Sequence, residues 1–348
     1  MGSGVRMAGS VNRRFLLKSR PVGRIKPTDF ELVEEPVPKA GPNQALARVL
    51  YLSLDPTNRI WMTDMEQYMP PVAFGEVMRG AGLAEIVESN NPAYQVGDVV
   101  TGLTGWQDYT VTDGSGLRDL TPLPKGLPVP LTAMMGALGV TGLTAYFGLL
   151  EIGKPEAGET VVISAAAGAT GSVVGQIAKI KGCRVVGIAG SDEKCGWITG
   201  DLRFDAAVNY KKPDWRERLG AACPNGIDVN FENVGGEIMD TVISRMNLNG
   251  RVVLCGLISG YNSGQPMRGP FDQILIKRLR VQGFIVLDFL DRATEGVMQL
   301  AQWMMEGKLV HRETIVDGLE SAPVAINRLF DGSNIGKLIV KVSEPSHI

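Results

Sequence analysis

Ser164-Ala-Ala-Ala-Gly-Ala-Thr-Gly-Ser-Val-Val-Gly175 is the stretch whose reading decides the fold of this chain. Directly before it, Thr160-Val-Val-Ile-Ser164 is a short apolar run of strand type. Within and after it, Ser172 to Lys181 carries Val173, Ile177 and Ile180 at the spacing of one helix face. Ala166, Gly168 and Gly171 read A-x-G-x-x-G. Small residues at these places permit a tight turn, close approach of a pyrophosphate and close helix–strand packing. The helix N-terminus that follows offers free N–H groups and a positive dipole end to phosphates. Such a motif is specific only in context, and here strand, loop, helix and second strand follow in order.

Outward from the loop, the pattern repeats. Cys183–Ala189 reads as the second strand, then a helix over Asp192–Leu202 and a short strand at Ala206–Asn209. The helix Asp214–Cys223 leads to the strand Ile227–Glu232, and the helix Glu237–Met246 to the strand Arg251–Cys255. Arg280–Val286 reads as a further strand and Arg292–Glu306 as a further helix. Strands alternating with helices predict right-handed crossovers and a doubly wound parallel sheet, an α/β fold. Roughly the first 130 residues read differently. Gln44–Leu54, Gly82–Glu88 and Gln95–Thr101 are strand-like runs, separated by Pro and Gly as in an irregular β-barrel. A last apolar strand is predicted over Gly336–Val342.

Composition limits the function classes. The chain has 348 residues, which favours two domains. With 35 Lys and Arg against 37 Asp and Glu, it lacks the basic balance of a nucleic-acid binder. Four cysteines, Cys183, Cys195, Cys223 and Cys255, stand far apart and read as free thiols in a reducing, cytoplasmic compartment. Only His311 and His347 are present, so a histidine-based metal site or triad is nearly excluded by counting. Met1–Gly9 holds no apolar signal region, and Met1–Arg6 reads as an appended stretch before a start at Met7. The terminal Ser346-His347-Ile348 is not a peroxisomal tripeptide. Gly126–Leu150 carries no charge, but its prolines and glycines argue for buried helices rather than a membrane span.

The tip of the second strand sets which dinucleotide fits. An NAD site places Asp or Glu there to hold the ribose hydroxyls. This chain has Gly190, then Ser191-Asp192-Glu193-Lys194. No carboxylate stands at the tip itself, Lys194 lies within reach of a ribose phosphate, and Asp192 and Glu193 suit the first turn of a helix. Tyr210, after the third strand, is placed to contact that phosphate or the adenine, or to pack in the core.

At this point the chain resembles a medium-chain dehydrogenase/reductase. It is most similar to the zinc-independent branch of prostaglandin reductases, alkenal double-bond reductases and bacterial curcumin reductase. The carrying segments are Leu52–Arg59, Gly142–Gly148, Ala165–Gly175, Gly190–Lys194, Phe231–Gly236, Cys255–Asn262 and Asn334–Lys337. The resemblance implies a GroES-like substrate domain over residues 1–138, a Rossmann NADP-binding domain over 139–307 and a C-terminal return over 308–348. It implies NADPH as cofactor, held by Thr141, Ala166, Gly168, Ala169, Thr170, Gly171, Gly190, Ser191, Lys194, Tyr210, Asn233, Cys255, Phe284, Val286 and Asn334. Tyr261 corresponds to the family's active-site tyrosine, although Gly260 stands where a polar residue often precedes it. Zinc-dependent cousins carry a cysteine ligand where this chain has Leu52-Ser-Leu-Asp55, and a G-H-E element where it has Phe74-Gly-Glu-Val77. No metal is therefore expected.

The implied reaction is conjugate reduction of a small hydrophobic α,β-unsaturated ketone or aldehyde. The enolate oxygen needs a donor, either the Tyr261 hydroxyl or a cofactor ribose hydroxyl. In this family Tyr51, Asn58 and Arg59 line the pocket, and Arg59 reads equally well as a structural ion-pair partner. Trp61, Met62, Met65, Tyr68 and Met69 form an aromatic and Met-rich stretch suited to varied hydrophobic substrates or to ordinary packing. A homodimer joined through Rossmann sheet edges is implied as well. Quinone reduction on the same scaffold, and NADPH binding without catalysis, are the competing readings.

Overall fold

The computed structural model describes residues 11–116, 119–126, 129–263 and 268–346. The suggested appended stretch Met1–Arg6, the terminal His347 and Ile348, and Leu127 and Pro128 of the charge-free stretch lie outside the described residues. The chain forms two compact units. One uses residues up to Val129, Ile315–Asp331 and the chain from Leu338; the other uses Pro130–Thr314 and Gly332–Lys337.

The first unit begins with β1 (Val11–Leu17) and β2 (Phe30–Pro36), an antiparallel pair. Then come β3 (Ala45–Leu54), the short α1 (Pro56–Trp61), β4 (Ala81–Ser89), β5 (Val99–Leu103), β6 (Tyr109–Thr112) and β7 (Leu120–Pro122). β3 is buried along most of its length, which is why its sequence reads as a nearly unbroken apolar run. It pairs antiparallel with β4 on one side and with β6 on the other. Below it, the Phe30 and Trp106 rings stack with centroids 5.2 Å apart, and Phe15 meets Trp106 edge-on at 6.4 Å.

The second unit opens with α2 (Val140–Phe147). β8 (Thr160–Ile163), α3 (Ala169–Ile180), β9 (Arg184–Ala189), α4 (Asp192–Gly200) and β10 (Ala206–Asn209) follow. α5 (Trp215–Ala222), β11 (Ile227–Glu232), α6 (Gly236–Ser244), β12 (Met246–Leu254), α7 (Phe271–Lys277), β13 (Arg280–Gly283) and α8 (Ala293–Met305) complete it. The six strands are all parallel, in the order β10-β9-β8-β11-β12-β13. The chain's direction across the sheet reverses between β8 and β11, the switch point at which such sheets hold ligands outside their carboxyl ends. Val162, Val186, Ile188, Val208, Ile227 and Val252 are buried across these strands. Each such side chain contributes about 1.5–3 kcal/mol by leaving water.

The alternation read from the sequence is present, with local differences. The strand expected over Arg280–Val286 ends at Gly283, and Val286–Arg292 forms 3₁₀ turns instead. β12 starts at Met246, ahead of the expected Arg251, so α6 stops at Ser244. The charge-free stretch folds into a 3₁₀ turn at Leu131–Met135 and α2, which passes into a π-type turn over Gly148–Gly153. Among the described residues no helix is long and apolar enough to cross a membrane.

After α8 the chain returns through β14 (Glu313–Asp317), α9 (Ala322–Ala325), α10 (Arg328–Asp331) and β15 (Lys337–Lys341). β15 lies antiparallel to β3, which gives the larger sheet the order β14-β15-β3-β4-β5-β7, with β6 also on β3. The first unit thus holds a GroES-like sheet and the second a Rossmann sheet, in one chain of the α/β class.

Gly175 shows how tightly α3 lies on its surroundings: a Cβ there would overlap the buried Phe204 ring. Gly175→Ala is expected to lower stability by about 1–3 kcal/mol, the usual cost of overpacking a filled core. Urea unfolding followed by circular dichroism measures it.

Candidate functional site

The candidate site in the second unit lies along the carboxyl ends of β8, β9, β10, β11 and β12. After β8 the chain turns sharply, and Ala165 takes φ +48°, an uncommon value for a residue with a side chain. Gly168 then starts α3 in extended conformation. A Cβ on Gly171 would come to 2.5 Å from the Ala165 carbonyl oxygen, so only glycine lets the first turn of α3 sit on this loop. Gly168, Ala169 and Thr170 are half-buried at the helix start. The Gly168 N–H is taken by the Ala165 carbonyl at 2.9 Å, whereas those of Ala169 and Thr170 belong to the first turn of the helix, where no intrahelical acceptor exists, and form a cradle for an anion. Ala166 differs from its expected role. It is fully buried, and its N–H donates to the Ile188 carbonyl at 3.0 Å, so it packs the loop against β9 rather than facing a ligand.

The return segment joins this loop. The Gly336 N–H donates to the Ala167 carbonyl at 2.8 Å, and Gly168 and Gly336 form a bridge pair. Asn334 is nearly buried beside them, its amide donating to the Gly336 carbonyl at 3.0 Å. Thr141 donates its hydroxyl to the Gly136 carbonyl at 2.9 Å.

At the end of β9, a Cβ on Gly190 would lie 3.1 Å from the Tyr210 ring and 3.4 Å from Lys211 Cε. Tyr210 is therefore an exposed ring beside a glycine, not a core residue. Ser191 caps α4 by accepting from the Lys194 N–H at 3.2 Å. The Lys194 ammonium donates to the Gly332 carbonyl at 2.7 Å, which ties α4 to the return segment. Asp192 accepts from the Asn209 amide at 2.8 Å and from Lys212 at 2.9 Å. The hydrogen bond from Asn209, with that from Lys212, lowers its pKa from the ordinary value. The Asp192 carboxylate is thus already matched by a cation. Lys211 was not singled out from the sequence. The signal was there, in the Lys211-Lys212 pair directly after Tyr210 at a strand end.

At the ends of β11 and β12, Asn233 and Tyr261 come next. Asn233 donates its side-chain amide to the Ser164 carbonyl and its backbone N–H to the Ser164 hydroxyl, both at 2.8 Å. The Tyr261 hydroxyl accepts from the Leu257 N–H at 3.1 Å. A Cβ on Gly256 would lie 3.2 Å from that hydroxyl, so the phenol lies close over the start of its own loop. Burial, with the Glu232 charge behind it, pushes the Cys255 thiol up to about 12. Phe284 packs edge-on to Phe231 at 6.3 Å, in space kept open by Gly148, and Val286 starts the 3₁₀ turns beyond it.

In the first unit the expected pocket residues divide. Tyr51 is half-buried in β3. Asn58 is buried and fully engaged, accepting from the Asp55 N–H at 2.8 Å and donating to the Arg79 carbonyl at 3.1 Å. It fixes the first turn of α1 after Pro56. Arg59 is also buried and donates to the Pro21 carbonyl at 2.8 Å, and burial lowers its pKa. The Asp29 charge acts on it too, in the opposite sense to burial. Trp61 and Met62 lie in the core with Phe15, Phe30 and Trp106, and Met69 packs against it. Met65 and Tyr68 are exposed, with the Tyr68 hydroxyl hydrogen-bonded to Thr57.

Similarity to known proteins follows the same division. A family model described as the N-terminal domain of oxidoreductase matches residues 13–120, and one described as zinc-binding dehydrogenase matches residues 169–303. The chain is 45% identical to the NADPH-dependent curcumin reductase of Escherichia coli (strain K12) over 339 residues, covering 95% of this chain and 97% of that protein. This chain belongs to the medium-chain dehydrogenase/reductase family. Within the family it is 43% identical to prostaglandin reductase 1 of Rattus norvegicus, with 90% of this chain and 95% of that protein covered. It is 40% identical to the NADP(+)-dependent 2-alkenal reductase of Nicotiana tabacum, with 95% and 98% covered. The crystal structure of CurA in complex with NADPH from Vibrio vulnificus superposes with a TM-score of 0.90 at 42% identity, covering 96% of this chain and all of that one.

Among the described residues, no group of three or more His, Cys, Asp or Glu side chains is placed to hold a metal. In the Leu52–Asp55 segment, Leu52 lies in the core and Ser53 hydrogen-bonds Asp55.

The thiols give a pH-dependent test. Burial pushes Cys183 and Cys223 up to about 11, as it pushes Cys255 still higher. A raised thiol pKa keeps the protonated, unreactive form over a wider pH range. Iodoacetamide at pH 8 is expected to label Cys183 and Cys223 at least about a hundredfold, and Cys255 about a thousandfold, more slowly than a free cysteine of ordinary pKa. Labelling should accelerate as pH rises towards 10. Peptide mass spectrometry reads each site separately.

Proposed function

We propose that this chain is an NADPH-dependent reductase of the carbon–carbon double bond of small hydrophobic α,β-unsaturated ketones and aldehydes. The observation that carries the reading is the sheet edge itself: an anion cradle at α3, a carboxylate-free tip at Gly190 flanked by Lys194, Tyr210 and Lys211, and the Tyr261 hydroxyl, all on strand ends of one sheet. Full-length similarity to curcumin, prostaglandin and 2-alkenal reductases supports the same substrate class.

The residues suit the cofactor. Gly168 and Gly171 leave the backbone open to a pyrophosphate, and Ala169 and Thr170 supply first-turn N–H groups. Lys194 and Lys211 supply positive charge for a ribose 2′-phosphate, with Tyr210 and Ser191 beside them. Asn233 and Asn334 hold the backbone near the nicotinamide end. When bound, NADPH supplies a hydride for the β-carbon of the substrate. The electron pair of the double bond then gathers on the carbonyl oxygen as an enolate, and the α-carbon takes a proton. Tyr261 donates a hydrogen bond to that oxygen, an interaction stronger in the transition state than in the ground state. No residue of the chain is asked to bind zinc in this reaction.

The protein works as a homodimer in the cytoplasm in this reading. β13 is the outer strand of its sheet and all four of its residues are exposed. Phe271, Leu275 and Ile276 of α7 are exposed apolar side chains in the segment leading to it. An open, partly apolar edge of this kind favours pairing with a second copy. Four free cysteines accord with a reducing compartment.

Two measurements test the reading. In fluorescence titration, Lys194→Ala is expected to weaken NADPH by about tenfold or more, the worth of one charged hydrogen bond to phosphate. NADH should change little, and equal losses for both cofactors would reject the phosphate assignment. In single-turnover reduction of an enone with NADPH prebound, Tyr261→Phe is expected to slow hydride transfer about tenfold with the NADPH Kd nearly unchanged. An unchanged rate makes Tyr261 a pocket wall. Turnover of simple quinones with none of enones or alkenals would reject the substrate class.

A further inference from the structure

Glu232 closes β11 with a fully buried side chain, and among the described residues no lysine or arginine is paired with it. One carboxylate oxygen accepts three hydrogen bonds, from the Ser164 hydroxyl at 2.7 Å, the Val234 N–H at 2.7 Å and the Gly235 N–H at 2.8 Å. The other accepts from the Asn230 amide at 3.0 Å. A buried carboxylate is tolerated only where donors replace its water, and this one has four. Two of them are backbone groups of the turn that follows β11, where Gly235 and Gly236 both take positive φ.

The main chain of the same residues carries the Tyr261 loop. The Glu232 carbonyl accepts from the Cys255 N–H at 2.9 Å and the Gly256 N–H at 3.1 Å. The Asn233 carbonyl accepts from the Ile258 N–H at 3.1 Å. The Val234 carbonyl accepts from the Ser259 N–H at 3.0 Å and the Ser259 hydroxyl at 2.6 Å. Between these anchor points lies Leu257, whose N–H holds the Tyr261 hydroxyl. On the opposite side, Ser164 opens the phosphate loop and receives both hydrogen bonds from Asn233.

We infer that Glu232 is a positioning residue for the reaction: its buried carboxylate locks residues 233–235 to Ser164, and so fixes the Tyr261 loop to the cofactor cradle as one rigid piece. The inference rests on the reading of Tyr261 as the donor. Glu232 touches neither substrate nor cofactor in this scheme, and acts through hydrogen bonds rather than through its charge. The conservative amide should therefore serve. Asn230 Oδ1 is buried without a hydrogen-bond partner, so a turned Asn230 amide can accept from the new NH₂ of a glutamine. The glutamine oxygen then keeps the donors on the other side.

The test is a double-mutant cycle on hydride transfer in single turnover, with NADPH prebound and circular dichroism checking the fold. Glu232→Ala is expected to slow hydride transfer by up to about tenfold, no more than losing the Tyr261 hydroxyl itself. Glu232→Gln is expected to restore the rate to within about threefold of wild type, a difference below that of one neutral hydrogen bond. In a Tyr261→Phe background, Glu232→Ala should cost little more, because it acts through the lost hydroxyl. If Glu232→Ala fails to fold, Ser164→Ala carries the test, with an expected loss of about threefold to tenfold and the same non-additivity with Tyr261→Phe. A full rate in folded Glu232→Ala, or losses that simply add to those of Tyr261→Phe, would overturn the inference and leave the donor reading standing. A Tyr261→Phe rate equal to wild type would remove the donor reading and this inference with it.

Discussion

A single steric constraint underlies the second unit: the Ala165 carbonyl lies where any side chain on Gly171 would have to go. Because there is none, the first turn of α3 rests on the loop that leaves β8, and its N–H groups face outward from the sheet edge. The same economy of side chains recurs around it. Gly187 brings β9 close to Ala166, and Gly175 brings α3 onto Phe204. The nearness of backbone to backbone, more than any particular contact, makes this end of the sheet a place for phosphate. A β-carbon at any of these points would push the helix out and widen the cradle.

Charge at the neighbouring strand tip is arranged by neutralisation as much as by attraction. Asp192 is matched by Lys212 and the Asn209 amide, so it presents little net repulsion to an incoming phosphate. The Tyr210 ring and Lys211 lie beside Gly190, and Lys194 donates to the Gly332 carbonyl. Exposed pairs such as Asp192 and Lys212 add little to stability.

The strand–helix alternation was legible because the inner parallel strands β8, β9 and β11 are buried along nearly all their length and read as short apolar runs. The phosphate loop was legible because steric demands at a tight turn leave few residue types to choose from. What lay beyond the sequence was orientation. Trp61 and Met62 carry the same side chains as a substrate pocket would, and only packing shows that they face the core with Phe15 and Trp106. Asn58 and Arg59 are polar, yet their hydrogen bonds are spent on Arg79 and Pro21 within their own unit. Lys211 was passed over because a lysine after a strand is ordinary until Gly190 is seen beside it. The strand expected to reach Val286 stops at Gly283, since an apolar run of that length fits 3₁₀ turns as readily as a strand.

Gly332–Lys337 leaves the second unit's continuous run of chain and comes back to it after α9 and α10. This short strap brings Asn334 and Gly336 to the phosphate loop and offers the Gly332 carbonyl to Lys194. The nucleotide-binding unit is therefore not a cassette. A recombination that exchanged Pro130–Thr314 as one block would carry over every strand of the parallel sheet and still leave behind Gly336, which bonds the loop after β8, and the Gly332 carbonyl that holds Lys194.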